Sequence, residues 1–298
     1  YLFAPDQAYR MQQSGWGRAD EKREGKNHPN GAIIQYYLKD LSEDDEVRID
    51  ILEADGNLIR SYSNTAKPSR HDPDAIQPLK AASGGNRLIW NLRYPGFESF
   101  EGMILYSSPN RGPKAVPGTY RVRLTYNGAV QEQPFTVVKD PRLPNTPEDF
   151  REQFEFLTDV RDEVSKANNA IKRIRSIKTD LEYLKEKVSG HPELLETITE
   201  FETRLSEVEN NIHMTKNQSR QDPLNYGIRI NNRLAFLMAD SQRGDYPPTD
   251  QARAFFSEIR AELMTELQAL ETLEASYLEK INQRVGALGI PMVSAGED

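Results

Sequence analysis

Residues 146–189, TPEDFREQFEFLTDVRDEVSKANNAIKRIRSIKTDLEYLKEKVS, decide the architecture of the chain. Thr146 can cap a helix, and Pro147 suits its first position because an N–H would be unpaired there. A helix of this length would extend about 60 Å, so other helices must lie beside it and the sequence predicts a helical bundle. Apolar residues recur at heptad spacing in two rows on one side of this helix: Leu157, Val164 and Ile171, and Val160, Ala167, Ile174, Leu181 and Val188.

Three further helices are predicted after Gly190-His191-Pro192. Apolar residues keep helical spacing from Leu195 to Ile212, a shorter set runs from Ile228 to Leu237, and Thr249 caps a last helix that reaches Gly286. Two long and two shorter helices fit an antiparallel up-down bundle of three to four helices over residues 146–290, with coiled-coil-like packing. In this arrangement the first and last helices are antiparallel.

Residues 31–140 carry β patterns. Asp55-Gly56 and Asn127-Gly128 supply the turns of two hairpins, and about six or seven short strands are separated by turn signals. The pattern predicts an Ig-like or fibronectin-type β-sandwich with Trp90 in its core. Residues 1–30 are interpreted as a linker or strap and residues 291–298 as a tail, so the predicted fold class is α+β multidomain.

Composition excludes several classes of function. The 298 residues include no cysteine, which excludes disulfides, thiolate zinc sites and a cysteine nucleophile. The net charge is −8, and residues 147–298 hold 28 acidic against 19 basic side chains, a poor match to nucleic acid or anionic lipid. No apolar run is long enough to span a membrane, so we expect no membrane insertion. The start at Tyr1 without Met suggests a piece cut from a longer polypeptide.

No catalytic motif stands out in the sequence. Glycoside hydrolysis needs two facing carboxylates, whereas the carboxylates here lie in exposed helix faces or in the loop 43–46. The four histidines are scattered and none has the i, i+4 spacing of a helical metal pair. Phosphate-binding loops and nucleophile elbows are lacking too. We therefore expect no enzymatic activity, no cofactor and no metal.

The candidate binding residues are aromatic. Residues 94–117 form a long excursion of the chain that carries several large rings, and loops of this length are often functional or packed on a neighbour. These rings could pack on another domain or subunit, stack sugar rings as in a carbohydrate-binding module, or fold back over the sheet. Trp16, in residues 1–30, could anchor the strap on a neighbouring domain, because large aromatic residues are favoured as interface anchors. The predicted binding residues are Trp16, Tyr94, Phe97, Phe100 and Tyr106.

Two sets of motifs give the chain a resemblance to known families. The β half resembles the Ig-like domain of flagellar hook-capping proteins and many bacterial cell-surface proteins, through Val47-Arg48-Ile49-Asp50-Ile51, Asp55-Gly56, Ile59-Arg60, Gly85-Asn86-Arg87, Trp90 and Pro117-Gly118-Thr119-Tyr120. Nearly the whole chain is similar to the C-terminal region of large secreted bacterial proteins that begin with a β-propeller of sortilin-like or neuraminidase-type repeats. Those proteins are often labelled glycosyl hydrolases by the propeller alone. This second resemblance rests on Asn30-Gly31-Ala32, Tyr36-Tyr37-Leu38, Trp90-Asn91-Leu92-Arg93-Tyr94-Pro95, Gly112-Pro113, Pro117-Gly118-Thr119-Tyr120 and Asp140-Pro141-Arg142.

The resemblance implies a non-catalytic interaction and scaffolding region of a larger periplasmic, outer-membrane-associated or extracellular protein. Its expected partner is another protein or the propeller that would precede it, and no propeller repeat lies in these residues. A carbohydrate-binding module, or an accessory part of a glycoside hydrolase whose catalytic domain lies elsewhere, is the alternative. The family's aspartate after the tryptophan is Asn91 in this chain.

Overall fold

A computed structural model of the chain describes residues 1–11, 28–69, 71–291 and 293. The chain divides into two units. Unit 1 comprises Tyr1–Gly96, Arg111–Thr158 and Gln242–Pro248, and unit 2 comprises Phe97–Asn110, Asp159–Ser241 and Thr249–Asp298. Every described strand precedes the first described helix, and the chain is a mixed α/β protein.

The described strands lie in unit 1 and form two sheets. The larger sheet has six strands in the order β1-β8-β7-β3-β4-β5, and the smaller sheet pairs β2 with β6. Parallel pairing joins β1 to β8 and β4 to β5, whereas the other neighbours are antiparallel. The strands are β1 (Ala8–Arg10), β2 (Ala32–Leu38), β3 (Val47–Glu53), β4 (Leu58–Ser63), β5 (Gln77–Pro78), β6 (Gly84–Trp90), β7 (Gly118–Tyr126) and β8 (Ala129–Lys139).

Both predicted hairpins are confirmed. Residues 54–57 join β3 to β4, and Asn127-Gly128 joins β7 to β8. The backbone φ angle is 98° at Gly56, 49° at Asn127 and 75° at Gly128, in the left-handed region that glycine and asparagine tolerate. Turn chemistry in the sequence therefore set these two strand connections.

Buried residues from both sheets form one apolar core. Trp90 at the end of β6 is fully buried, and its ring centroid lies 5.6 Å from that of Tyr120 and 6.0 Å from that of Phe135. The prediction that Trp90 belongs to the core is confirmed. The strand stops there, although the alternation of apolar residues predicts that it continues to Leu92. Leu92 is buried but has a φ of 58°, which no strand residue adopts.

Two strands lie where the sequence predicts irregular chain. β1 falls within the expected linker or strap of residues 1–30, and β5 falls within the expected loop of residues 63–85. Leu2 is fully buried and forms an antiparallel bridge with Tyr36. Strands of two or three residues are too short to show a period-two pattern. Residues 1–11, which include β1, therefore belong to the folded unit 1.

The long helix begins as predicted. Thr146 and Asp149 form a capping box, in which the Asp149 N–H donates to Thr146 Oγ1 at 3.3 Å and the Thr146 N–H donates to Asp149 Oδ2 at 2.7 Å. Both predicted apolar rows are buried, each residue being 2% exposed or less. The helices are α1 (Pro147–Lys187), α2 (Pro192–Ile212), α3 (Pro223–Tyr226), α4 (Ile230–Asp240) and α5 (Asp250–Ala287).

Ion pairs define the direction of α2 in unit 2. Arg175 Nε of α1 lies 2.8 Å from Glu209 Oε1 of α2, and Lys185 of α1 pairs with Glu202 of α2. Residue numbers rise along α1 as they fall along α2. These two helices are therefore antiparallel, as predicted.

The direction of α5 corrects the sequence prediction. Glu163 Oε1 of α1 lies 3.1 Å from Arg260 Nε of α5, and Arg173 of α1 pairs with Glu274 of α5. Residue numbers rise together along the two helices, so α1 and α5 run in the same direction and are not antiparallel. The reason is that residues 213–229 interrupt the stretch of chain that runs antiparallel to α1 and divide it into two helices, α2 and α4.

Candidate functional site

The predicted binding residues that the structure describes are divided between the two units. Trp16 lies outside the described residues. Tyr94 belongs to unit 1, where its hydroxyl donates to Glu53 Oε1 at 2.6 Å and its ring meets Phe154 edge-on at 4.7 Å. Burial and the Glu53 hydrogen bond raise the pKa of Tyr94. Tyr94 is thus a packed hydrogen-bond donor within unit 1.

The other three aromatic residues lie in unit 2, in Phe97–Asn110, which we call the 97–110 segment. Phe97 is 1% exposed, Phe100 is 5% exposed and Tyr106 is 36% exposed. A sugar ring stacks on an open aromatic face, and two of these three faces are covered. The segment therefore offers no aromatic platform for carbohydrate.

The 97–110 segment is held by helical side chains of unit 2. The Glu98 N–H donates to Ser165 Oγ at 3.1 Å, and Asn168 Nδ2 donates to the Glu98 carbonyl at 2.6 Å. Asn232 Oδ1 accepts the Tyr106 N–H at 2.7 Å, and Asn232 Nδ2 donates to the Tyr106 carbonyl at 3.1 Å. Buried asparagines on α1 and α4 thus replace water for the backbone of an irregular segment.

Beneath this segment lies a buried polar cluster. Asn231 Nδ2 lies 3.1 Å from Asn168 Oδ1 and 3.1 Å from His213 Nδ1, and all three side chains are 3% exposed or less. The Phe100 ring meets the His213 ring edge-on at 5.1 Å. Burial lowers the pKa of His213, with a further lowering from the Arg175 charge. His213 is therefore neutral at pH 7.

Glu209 is the buried carboxylate nearest to this cluster in sequence. Its oxygens lie 2.8 Å from Arg175 Nε and 3.0 Å from Lys178 Nζ. Burial alone would raise the pKa of Glu209, but the hydrogen bonds from Arg175 and Lys178 outweigh it and lower that pKa. An ionised carboxylate held by two cations cannot serve as a general acid, so Glu209 is a structural ion-pair partner.

A second buried polar cluster lies in unit 1 around Arg10 of β1. Its Nε and Nη2 groups donate to Asp245 Oδ1 at 3.1 and 3.0 Å, and Nη2 also donates to Gln153 Oε1 at 2.6 Å. Its Nη1 group donates to the carbonyls of Lys114 and Ala115 at 3.2 and 2.9 Å. One guanidinium thus joins four separate parts of unit 1.

Two more cations lie beside Arg10. Burial lowers the pKa of Lys114 to about 8, and Asp245 partly offsets this effect. Burial lowers the pKa of Arg93 to about 10, with further lowering from Arg111 and Arg10. The surrounding side chains fill the space between these groups, which leaves no room for a bound molecule. The cluster is therefore a structural network.

The outward side of the small sheet presents a different surface. Residues 1–3 run beside β2, because the Tyr37 N–H donates to the Tyr1 carbonyl at 2.8 Å and the Phe3 N–H donates to the Gln35 carbonyl at 3.1 Å. Leu2 and Tyr36 point into the core, so the alternate side chains point outward. We call Tyr1, Phe3, Ile33, Tyr37 and Ile89 the outer aromatic face.

The rings of the outer aromatic face are open to solvent. Tyr1 is 64% exposed, Tyr37 is 46% exposed and Phe3 is 45% exposed. The Tyr1 and Phe3 rings meet edge-on at 4.9 Å. A small polar cavity of about 70 Å³ adjoins the face, lined in part by Asp6, Gln7, His28 and Gln35. Apolar rings beside polar groups are typical of protein interaction sites.

Within the described ranges, no group of three or more histidine, aspartate and glutamate residues is placed to hold a metal ion. None of the described helices is long and apolar enough to cross a membrane.

Sequence reasoning missed both the outer aromatic face and the Arg10 cluster. The face combines residues 1–3, β2 and β6, and only the pairing of separate strands brings them together. The alternation of Ile33, Gln35 and Tyr37 was the one available signal, since it marks the side of β2 opposite the core. Arg10 stands in a stretch without any pattern, so nothing local indicated its burial.

Comparison with known proteins assigns no family. No protein-family model matches the chain, and no curated protein matches it. A solved structure named pT26-6p matches over 83% of this chain with 12% sequence identity and a TM-score of 0.16. The match covers 47% of that structure's own chain, about half of its length. A likeness at this level supports no conclusion on fold or function.

Proposed function

We propose that this chain is a non-catalytic interaction and scaffolding region of a larger secreted or cell-envelope bacterial protein. In this proposal unit 1 is an Ig-like β-sandwich that docks through its outer aromatic face on a propeller domain or another protein. Unit 2 is a helical bundle that acts as a rigid spacer. The extracellular or periplasmic setting and the propeller rest on the sequence resemblance alone.

The outer aromatic face is the observation on which the proposal depends. Exposed aromatic residues that are grouped on a sheet, rather than scattered singly, favour protein contact. Backbone hydrogen bonds to β2 fix residues 1–3, so Tyr1 and Phe3 would lose little conformational entropy on binding. The face is therefore suited to act as an anchor for a partner.

Features of each unit support the finer fold assignment. In unit 1 the two sheets share one core around Trp90, as in a sandwich. In unit 2 the buried stripe of α1 and the ion pairs to α2 and α5 are typical of bundle packing. The surplus of carboxylates in residues 147–298 disfavours nucleic acid as a partner.

Site-specific photo-crosslinking tests the proposal. A photoreactive phenylalanine replaces Tyr37 on the outer aromatic face, and a matched control replaces Tyr183, an exposed tyrosine of α1 that is 48% exposed. We expect the probe at position 37 alone to capture a discrete protein in the cell envelope. The captured protein, once purified, should bind the Phe3→Ser/Tyr37→Ser variant at least about tenfold more weakly than the unmodified chain.

The control variant Tyr183→Ser should bind the purified partner with unchanged affinity, and thermal melting should show that both variants are folded. Equal capture at positions 37 and 183 would contradict docking through the outer aromatic face. Saturable binding of soluble oligosaccharides, lost in Phe3→Ser/Tyr37→Ser and without protein capture, would instead support the carbohydrate-binding alternative.

A further inference from the structure

The polar cluster of unit 2 is a continuous chain of hydrogen bonds that ends on a histidine. It starts at the backbone carbonyl of Glu98, which accepts from Asn168 Nδ2 at 2.6 Å. Asn168 Oδ1 accepts from Asn231 Nδ2 at 3.1 Å, and Asn231 Nδ2 lies 3.1 Å from His213 Nδ1. The three side chains are almost completely buried, so water does not compete for these bonds.

The first bond fixes the direction of all the others. A backbone carbonyl only accepts, so the amide nitrogen of Asn168 must face Glu98 and its oxygen must face Asn231. Asn231 must then present its nitrogen, whose two hydrogens serve Asn168 and His213, while Asn231 Oδ1 is buried without a hydrogen-bond partner among the described residues. His213 Nδ1 can only accept at this position, which places the imidazole proton on Nε2 and requires a neutral ring.

We propose that His213 is an acid-sensitive latch for the 97–110 segment: protonation of Nδ1 breaks the hydrogen-bond chain and loosens the Glu98 end of the segment by removing the bond from Asn168. This inference concerns regulation within unit 2 and is independent of the outer aromatic face.

No rotation of the amides rescues the chain after protonation. If Asn231 turns its oxygen toward His213, that same oxygen faces Asn168 Oδ1, and two acceptors meet. If Asn168 turns as well, its oxygen faces the carbonyl of Glu98. Each arrangement leaves two buried hydrogen-bond acceptors facing each other with no hydrogen between them, which is unfavourable.

The charged groups around the ring come from two helices. Arg175 of α1 disfavours the protonated form of His213, and Glu209 of α2 favours it. Glu209 is already paired with Arg175 and Lys178. α4 presents the neutral Asn231. The net effect of burial and these charges lowers the pKa of His213.

The 97–110 segment contacts the ring directly as well. The Phe100 ring lies edge-on to His213, and the Arg175 guanidinium lies 4.6 Å from the centre of the Phe100 ring on its face. The Glu98 carboxylate is paired with Lys172 at 2.7 Å. A charge on His213 would therefore disturb the Phe100 contact and the Glu98 hydrogen bond together.

The direction of the pH effect follows from the lowered pKa. A histidine whose folded pKa is below its ordinary value of 6.5 favours the folded state fully above that pH. Its contribution is lost as the pH falls from 6.5 through the lower folded value. Loosening of the Glu98 end of the segment is accordingly expected on acidification.

Nuclear magnetic resonance of the full chain tests the latch. Nitrogen-15 shifts at pH 7.5 should show the His213 proton on Nε2. Between pH 7.5 and pH 5, the protection of the Glu98 amide against hydrogen exchange, corrected for intrinsic rates, should fall about tenfold or more, as expected when a buried hydrogen bond is lost. The Tyr106 amide, which is bound by Asn232, should stay protected and serves as an internal reference.

Two variants separate the latch from general acid sensitivity. His213→Gln offers an acceptor that does not titrate, so the acid-induced loss at Glu98 should disappear. His191→Gln, at the exposed turn before α2, should leave that loss unchanged. An Nδ1 proton in the unmodified chain at pH 7.5 would overturn the proposal, even if His213→Gln fails to fold. An unchanged acid response in folded His213→Gln would overturn it too.

Discussion

Arg10 places a permanent positive charge inside unit 1, and each of its guanidinium N–H groups has an acceptor. The acceptors come from Asp245, Gln153 and the backbone at residues 114 and 115. Its face also lies 4.9 Å from the centre of the Phe150 ring. A buried ion pair of this kind adds little net stability over an apolar pair, but removing one partner is costly because the other charge stays buried.

Arg10→Ala should therefore lower the free energy of unfolding of unit 1 by about 3–5 kcal/mol. Urea unfolding followed by tryptophan fluorescence reports on this unit, because Trp90 lies in its core. Arg151→Ala is the matched control, since Arg151 pairs with Glu148 on an exposed surface of α1, and its unfolding midpoint should not change. A midpoint for Arg10→Ala equal to that of the control would contradict the structural role of Arg10.

Lys114 illustrates the opposite case, a buried charge that costs stability. Its ammonium donates to the Met11 carbonyl at 2.8 Å and lies in a cluster with Arg10 and Arg93. Lys114→Met keeps much of the volume without the charge, so it should stabilise unit 1 by about 1–3 kcal/mol at pH 7. Unfolding in urea measures the difference.

The advantage of Lys114→Met should also depend on pH. The folded pKa of about 8 lies below the ordinary 10.5, so the cost of the buried ammonium is fully present below pH 8 and fades as the pH rises to 10.5. The gain measured at pH 7 should shrink at pH 9.5. The exposed Lys39→Met is the control and should show no such trend. A destabilised Lys114→Met at both pH values would count against this account.

At the scale of elements, the small sheet depends on a close approach at Gly31. A Cβ atom there would lie 2.2 Å from the Trp90 carbonyl oxygen, and the residue has a φ of 148°. Neither the contact nor the dihedral angle suits an L side chain. Gly31 therefore sets the start of β2 against the end of β6.

Gly31→Ala should destabilise unit 1 by at least about 2 kcal/mol, because the backbone must shift and the φ angle is strained. Gly85→Ala is the matched control on the neighbouring β6, where a Cβ would meet nothing within 4 Å. We expect it to change stability by no more than about 0.5 kcal/mol. The same fluorescence-detected unfolding compares the two, and similar losses in both variants would refute the role of Gly31.

The elements that sequence patterns predicted well are those with local signals. Heptad spacing and the Thr146 cap predicted α1, and Gly56 and Asn127-Gly128 predicted two hairpins. The early end of β6 was missed because Asn91 forms a turn, in which its Oδ1 accepts the Arg93 N–H at 3.1 Å. An aspartate at this position would accept the same hydrogen bond. The spacing of the apolar residues does not reveal the turn.

Features that depend on distant partners could not be predicted in the same way. The burial of Phe97 and Phe100 depends on a segment that carries no pattern of its own, so the sequence could not separate an exposed platform from a packed one. The outer aromatic face needs the register between β2 and β6. Register and helix direction are decided by the whole set of contacts, whereas patterns report only one element at a time.

In the chain as a whole, the direction of each helix follows from the path that the chain takes back along α1. α2 runs back along α1 to its midpoint, and after residues 213–229 α4 starts where Asn231 meets Asn168 of α1. At Gly244 the chain has reached the first turns of α1, since the Gly244 carbonyl accepts from Gln153 Nε2 at 2.7 Å. α4 thus continues the path antiparallel to α1, and α5 then reverses it and runs in the direction of α1 within unit 2. The parallel direction of α1 and α5 is a consequence of this route.

Paired cysteines can test that direction cleanly, because the chain has no cysteine of its own. A short thiol cross-linker should join Glu163→Cys to Arg260→Cys, and in a second variant Arg173→Cys to Glu274→Cys, as each pair is in contact.

Antiparallel helices that met at residues 173 and 274 would instead bring residue 163 near residue 284. Glu163→Cys/Arg284→Cys is therefore the control pair. In the parallel direction residue 284 lies 24 residues beyond Arg260 along α5, about 36 Å of helix, so a short linker distinguishes the two directions. Cross-linking closes a large loop and speeds migration in a denaturing gel. A fast-migrating control pair, with no cross-link between residues 163 and 260, would show that α1 and α5 are antiparallel after all.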